Sequence, residues 1–434
     1  MNYEQSVAFY EQREKFGVKL GLETVSDLLH RLGDPQLGQK YIHIAGTNGK
    51  GSTAAFCSNM LREAGYRTGL YTSPALERFN ERIQINNKPV SDALIAENTT
   101  RIAEAVAQME AEGANVPSQF ELETALAFLC FQAEKTDIVV LEVGMGGRLD
   151  ATNVITAPLV SVICSISLDH TRFLGNTLGA IAGEKAGIIK DNCPVVLYPQ
   201  EREVEEVVKA VATSHHAALV LPDFSSVENH TTSLDGQAFD WMDNHEKKRH
   251  LKLSVMGDYQ VANAIVAFTA LDLLRQNGAL SLTDEEMLTG VEKTRWKGRF
   301  EKILDAPLTI LDGAHNPGGA KVFAQSVRDF LEGRKLVFVL GILADKKIDE
   351  MLAQFLPLAD HVLTITPDNP RAMDAKDLAK QIEATGKPAE AFDSLEQAWE
   401  RAKALCPKEN GGIVFVGSLY MIGVVRSYLC KKEK

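Results

Sequence analysis

The sequence predicts an α/β protein of two domains, the first of the P-loop type with a mostly parallel sheet and the second a smaller α/β domain. Three observations carry that reading. Short apolar runs of strand length alternate with amphipathic runs of helix length. One apolar run, Tyr41–Ala45, leads into Gly46-Thr-Asn-Gly-Lys-Gly-Ser-Thr53 and then into a helical pattern, the order a phosphate cradle requires. At 434 residues the chain also exceeds the usual single-domain size. A charged, glycine-broken stretch, Thr294-Arg-Trp-Lys-Gly-Arg-Phe300, divides it into expected domains of residues 1–295 and 296–434.

Residues 1–36 read as two helical pieces broken near Gly17 and Gly21. In the cradle, Gly46, Thr47, Asn48, Gly49 and Gly51 let backbone N–H groups turn inward. Lys50 can reach outer phosphates, and Ser52 offers a hydroxyl for magnesium. The spacing departs from the common G-x-x-x-x-G-K-[ST]: two residues separate Gly46 from Gly49, and Gly51 intervenes between Lys50 and Ser52. Phe56, Met60, Leu61 and Ala64 mark the following helix, and Tyr66–Thr72 the next strand. This βαβ unit predicts parallel neighbouring strands, with Ser73 emerging beside the cradle. The runs Asp137–Val143 and Leu159–Ser167 repeat the pattern, with Glu142 at the end of one and Asp169-His170 after the other. Ser73, Glu142 and His170 are therefore expected to converge on the phosphates.

Helices are expected over 92–113 and 121–133. Phe120-Glu121, after the link 115–119, is a candidate substrate contact or a helix start. A helix over 177–189 carries Glu184-Lys185, and a strand follows over 191–198. Residues 200–250 read as an amphipathic helix and then a polar meander, and a further helix runs through Asn263 to Gln276. The second domain offers strands at 308–311, 335–340, 361–366 and 413–416. The first of these ends in Asp312-Gly-Ala-His-Asn-Pro317. There Asp312 and His315 either begin a helix or face the first domain's nucleotide across a cleft.

A formal charge of −12 argues against nonspecific nucleic-acid or anionic-membrane binding. The six cysteines form no CxxC pair and lie mostly in apolar runs, as reduced core cysteines of a cytoplasmic protein do. The polar start Met1-Asn-Tyr-Glu-Gln is no signal peptide, and the apolar run 159–168 is too short to span a bilayer.

Several separated motifs, in order, resemble folylpolyglutamate synthase and dihydrofolate synthase, members of the Mur-type ATP-dependent amide ligases. They are 46–53, Tyr71-Thr-Ser-Pro74 with Arg78-Phe-Asn-Glu-Arg-Ile83, Glu142-Val-Gly-Met-Gly-Gly-Arg-Leu-Asp-Ala-Thr-Asn153 and Leu168-Asp-His170. Glu184-Lys-Ala-Gly-Ile-Ile-Lys190, Asp312–Pro317 and Gly417-Ser-Leu-Tyr420 complete the series. The resemblance covers nearly the whole chain. It implies an N-terminal ATPase domain and a C-terminal Rossmann-like domain closing over it, acting as a cytoplasmic monomer on ATP, L-glutamate and a folate or dihydropteroate.

The same resemblance assigns roles. Gly49, Lys50, Gly51 and Ser52 look like the triphosphate cradle, and Ser73, Glu142 and His170 like ligands of Mg²⁺, with two magnesium sites expected. Lys185 matches a lysine carried as a carbamate. Asn263, Arg299 and Asp312 resemble adenine, phosphate and ribose contacts, and His315 resembles a histidine reaching the reaction centre. Phe120, Glu121, Leu149, Asp150 and Ala151 are candidates for the pterin side, although Asp150 could simply cap a loop. The chain departs from the family's usual pattern at Ala75, at Tyr259, where relatives carry His, and at Lys297. Arg148-Leu-Asp-Ala-Thr152 resembles enzymes that accept dihydropteroate as well as folates, so a bifunctional enzyme is favoured over one that only lengthens folate tails. A cell-wall Mur ligase would need a further N-terminal domain before a cradle that begins at residue 46. A regulatory P-loop protein would need neither Lys185 nor the second domain.

Overall fold

Parallel pairing around β1 (Tyr41–Ala45) organises the first of two compact units in the computed structural model, which describes residues 1–13 and 21–432. The remaining strands of its sheet are β2 (Thr68–Tyr71), β3 (Ile83–Ile85), β4 (Lys88–Pro89), β5 (Ile138–Glu142), β6 (Val160–Ile163), β7 (Val195–Leu197) and β8 (Leu219–Val220). They lie in the order β4-β3-β2-β5-β1-β6-β7-β8, parallel from β2 to β8, with β3 and β4 antiparallel at one edge. One expectation is corrected here. β1 and β2 run parallel but are not neighbours, because β5 inserts between them and pairs with both. Every residue of β5 is buried, which suits a strand flanked on both edges.

Two apolar clusters lie side by side on one face of this sheet, as the register of Leu141, Ile163 and Leu197 requires. One gathers Tyr10, Leu28, Leu29, Phe128, Phe131 and Leu141. The other gathers Ile163, Ile181, Leu197, Val204 and Val208. The N-terminal helices, Tyr3–Glu11 and Glu23–Arg31, are the two expected pieces, while the expected break at Gly17 lies outside the described residues. Tyr10 anchors the first of them, its hydroxyl 3.0 Å from Thr99 Oγ1.

The second unit has its own six-stranded sheet, ordered β12-β13-β17-β14-β15-β16. Its strands are β12 (Glu301–Asp305), β13 (Leu308–Asp312), β14 (Lys335–Leu340), β15 (His361–Ile365), β16 (Ala389–Phe392) and β17 (Gly411–Val416). All pairings are parallel except β12 with β13. The α/β class expected for each domain is the one found. The four expected strands of the second unit are present. The edge strands β12 and β16 are additional, and their half-exposed residues lack the apolar run that marks a central strand.

The units are not two uninterrupted stretches of chain. Unit one comprises residues 1–228, 240–251 and 262–294, and unit two comprises 229–239, 252–261 and 295–434. Hydrogen bonds explain why the short segments join the second unit. The Gln237 amide donates to the carbonyls of Val255 and Gly257 at 3.0 and 2.9 Å, and Lys302 pairs with Asp235 at 2.9 Å.

The expected polar meander before residue 250 is instead a three-stranded sheet, ordered β11-β10-β9, of β9 (Glu228–Ser233), β10 (Gly236–Met242) and β11 (Lys248–Leu253). Every residue of β9 is exposed, so it carries no apolar alternation to read. β11 does alternate, but one of its buried positions is an arginine. Arg249 is 4% exposed. Its guanidinium contacts Asp243 and Asp284 at 2.7 Å each and lies 5.2 Å from the Phe268 ring centroid. Phe268 belongs to the helix Tyr259–Gln276, which also carries Asn263, so this buried pair braces a helix of interest. Arg249→Ala would leave two carboxylates without their shared cation. It should lower stability by about 3–5 kcal/mol, read as an earlier urea midpoint. Arg249→Lys should recover only part of that, since one ammonium cannot reproduce the planar fork.

Candidate functional site

The cradle helix, Lys50–Glu63, starts from Gly49, whose φ of 85° is left-handed and suits glycine. A side chain there would also strike Asn263 Oδ1 at 2.5 Å, so buried Asn263 sits directly against the turn. The preceding N–H groups are already used. Those of Thr47 and Asn48 donate to Ser165 O at 2.8 and 3.3 Å, and the Asn48 amide donates to Ser167 Oγ at 3.1 Å. The first half of the loop is thereby tied to the segment after β6. The amides of Gly49, Lys50, Gly51 and Ser52 have no intrahelical acceptor and form the positive end of the helix dipole. That is an anion site by construction.

Charged groups gather at the same sheet edge. Lys50 Nζ donates to Thr47 O at 3.3 Å and lies 3.9 Å from Glu142 Oε1. The other oxygen of buried Glu142 accepts from Ser73 N–H at 3.2 Å. His170, half-exposed and with a φ of 49°, has Nε2 4.0 Å from Asp169 Oδ1. Of the three expected magnesium ligands, these contacts join Ser73 to Glu142 and set His170 beside Asp169. Among the described residues no group of three or more His, Cys, Asp and Glu side chains could hold a metal. Glu142 and neighbouring hydroxyls nevertheless fit the oxygen donors that Mg²⁺ takes, with water and phosphate oxygens completing its shell.

Lys185 is the unusual group. It is 3% exposed on the helix Leu178–Ala186, and its Nζ donates to Gly46 O at 2.8 Å. Burial, reinforced by Lys50, pushes its pKa down to about 7, against the opposing pull of Asp169 and Asp150.

The loop after β5 explains the next candidates. Asp150 is buried, accepting from Met145 N–H at 2.9 Å, Thr152 N–H at 3.0 Å and Thr152 Oγ1 at 2.6 Å. Loop capping is thus what its carboxylate does. Thr152 gives its one hydroxyl hydrogen to Asp150, so His43 Nε2, 2.9 Å away, must be the donor to Thr152. Burial pushes fully enclosed His43 down to about 3, and its buried Nδ1 has no partner among the described residues. Leu149 is exposed beside this loop and Ala151 is buried. Phe120 lies over Gly144, where an added Cβ would come within 2.4 Å of its ring. Glu121 takes the helix-start role: its buried carboxylate accepts from Ser118 N–H and Oγ, both at 2.7 Å.

In the second unit Asp312 ends β13 and is buried. It accepts from Ala314 N–H and Phe300 N–H at 2.7 Å each, and from Tyr259 Oη at 3.3 Å. Burial raises its pKa, and Arg299 works against that rise. The Arg299 guanidinium lies by Gly313, 3.3 Å from where a Cβ would stand. His315 Nδ1 donates to Gly313 O at 2.8 Å, which makes Nδ1 the protonated nitrogen, and Asn316 caps the helix Pro317–Phe330. Asp312 and His315 do flank a helix start. Sequence reading passed over His43, Ser165 and Ser167, and named Thr152 and Asp169 only within motifs, without a role. His43 carried one signal, a lone polar residue inside an apolar strand.

Comparison with known proteins bears on this arrangement. Residues 44–271 match the Mur ligase middle domain, and residues 298–419 match the Mur ligase glutamate ligase domain. The chain is 36% identical over 430 residues to a dihydrofolate synthase/folylpolyglutamate synthase of Bacillus subtilis, covering 98% of this chain and 99% of the relative. Mycobacterium tuberculosis folylpolyglutamate synthase complexed with ADP superposes with a TM-score of 0.89 at 32% identity, covering 98% of each chain. An FPGS structure with AMPPCP and folate gives 0.83 at 32% identity, covering 99% of this chain and all of the other.

Lys185 makes a testable prediction. Its folded pKa, about 7, lies below the ordinary 10.5, so the unfolded chain binds more protons between those values. The burden of the buried charge is greatest below pH 7 and disappears as pH rises to 10.5. In carbonate-free buffer, Lys185→Met should therefore be more stable than the parent near pH 6–7, and the gain should shrink towards pH 10.5. Urea midpoints across that range check the slope.

Proposed function

This chain belongs to the Mur ligase family, in its folylpolyglutamate synthase/dihydrofolate synthase branch, and from that premise we propose how its residues join L-glutamate to a folate. It is an ATP-dependent amide ligase. A carboxylate resists amine attack because charge and resonance stabilise it. Transfer of the ATP γ-phosphoryl to the folate carboxylate yields an acyl phosphate and ADP. The glutamate amine then attacks the acyl carbon, a proton leaves, and phosphate departs as the amide forms.

In this reading the helix amides at 49–52 and Lys50 hold the triphosphate, with charge stabilisation at the transferring group as the main catalytic contribution. Ser73 and Glu142, with His170, would hold Mg²⁺, which when bound neutralises charge between phosphate and carboxylate. Asn263, Arg299 and Asp312 would contact adenine, phosphate and ribose, and His315 would move a proton at Nε2. Lys185 would act as a carbamate, formed as R–NH₂ + CO₂ → R–NH–COO⁻ + H⁺. The observation that carries this reading is a buried lysine beside the cradle, with a pKa near neutrality that supplies the free amine the reaction needs.

The acceptors are reduced folates and dihydropteroate. The Arg148-Leu-Asp-Ala-Thr152 segment supports this, as does the double name of the Bacillus relative. Phe120, Leu149 and Ala151 would meet the pterin side, with Asp150 and Glu121 shaping the loop and helix behind it. The six free cysteines suit a reducing compartment, and the family resemblance suggests a monomer; no described helix is long and apolar enough to cross a membrane.

Phosphate release with ATP and glutamate tests the assignment. It should rise with either dihydropteroate or tetrahydrofolate. A response to tetrahydrofolate alone would make the enzyme a tail-lengthening synthase only, and a response to neither would sink the ligase reading. Lys185→Ala should lose roughly 10²–10³-fold in turnover, and added formate or acetate should restore part of it. Unimpaired turnover in that variant would remove the carbamate.

A further inference from the structure

We propose that Arg148 is a positioning residue for the reaction, acting on Lys185 through the last turn of its helix. This rests on the reading of Lys185 as a carbamate. The helix Leu178–Ala186 is short, and the N–H groups of Gly187, Ile188 and Ile189 close its end onto the carbonyls of Glu184, Lys185 and Ala186 at 3.0–3.3 Å; donors from outside reinforce that turn. Arg148 supplies two. Its backbone N–H donates to Glu184 O at 2.8 Å and its Nη2 to Gly183 O at 3.1 Å, while Nε lies 3.4 Å from Glu184 Oε1. A cation at a helix C-terminus is favourable in its own right.

The contact is close and held from both sides. At Gly147 a Cβ would fall 2.7 Å from Glu184 O and 2.9 Å from Lys185 O, so this approach is open only to glycine. Asn153 Nδ2 bridges the two segments, donating to Arg148 O at 3.0 Å and to Gly187 O at 3.1 Å. Lys185 lies in the turn so clamped, and where that turn sits sets where its Nζ reaches beneath the cradle. The Arg148 side chain is itself 55% exposed, so truncating it removes the Nη2 and Nε contacts, keeps the backbone bond to Glu184 O and opens no cavity.

The test reads the lysine directly. Wild type, Arg148→Ala and Arg148→Lys are equilibrated with ¹³C-bicarbonate, the carbamate carbon is followed by NMR, and kcat and KM are measured alongside urea midpoints. Arg148→Ala should lose most of the carbamate signal and about tenfold in kcat with KM for ATP and acceptor nearly unchanged. Arg148→Lys, which keeps a cationic donor for Gly183 O, should recover part of both. A full signal in Arg148→Ala, or a loss confined to acceptor KM, overturns the proposal, the latter marking Arg148 as a substrate contact. A wild type with no carbamate signal overturns the Lys185 reading instead. Arg148 is then judged on kinetics, where a kcat loss repaired by lysine supports positioning and an unchanged kcat refutes it.

Discussion

Two lysines share one buried sheet edge, and much of the first unit is arranged around that fact. Lys50 stands 3.9 Å from Glu142, while Lys185 has a carbonyl oxygen for its partner and feels Asp150 and Asp169 only through space. Concentrated positive charge in a poorly solvated place is unfavourable until an anion arrives. The unliganded protein therefore holds a site whose electrostatics are completed by what binds there. A triphosphate at the helix terminus, or conversion of the Lys185 amine into an anion, relieves the same imbalance. Backbone supports keep the arrangement from relaxing: Thr47 and Asn48 are pinned to Ser165, and the Lys185 helix is capped by the loop after β5.

Much of this was legible beforehand, for identifiable reasons. Strand, glycine turn and helix at 41–53 follow from backbone geometry that few other sequences satisfy, and Glu142 at the end of an apolar run had to emerge at the sheet edge. Parallel order was legible, but adjacency was not, because a βαβ crossover leaves room for an inserted strand and β5 fills it. The sheet at 228–253 escaped notice because β9 is exposed throughout and one buried position of β11 is charged. Arg249 occupies a core slot that an apolarity pattern assigns to solvent.

Side-chain employment was the least legible part of the site. Glu121 and Asp150 were marked because of where they stand in motifs, yet both spend their oxygens on local N–H and O–H groups. Sequence cannot say whether a carboxylate faces outward to a ligand or inward to its own loop. Asp312 shows that the alternatives need not exclude each other. It caps the turn before a helix while Tyr259 adds a hydroxyl to the same carboxylate.

The chain passes between its two units at 228/229, 239/240, 251/252, 261/262 and 294/295. On the ribosome, segments 229–239 and 252–261 emerge long before the six-stranded sheet of the unit they belong to, which begins at Glu301. Domains tend to fold in the order they are made, but here the first unit cannot be finished without carrying two stretches that await partners. A chain stopped after Thr294 would leave the Gln237 and Asp235 segments without the body they pack into. The protein is thus interlaced in time as well as in sequence: its second unit is started early, set aside, and completed last.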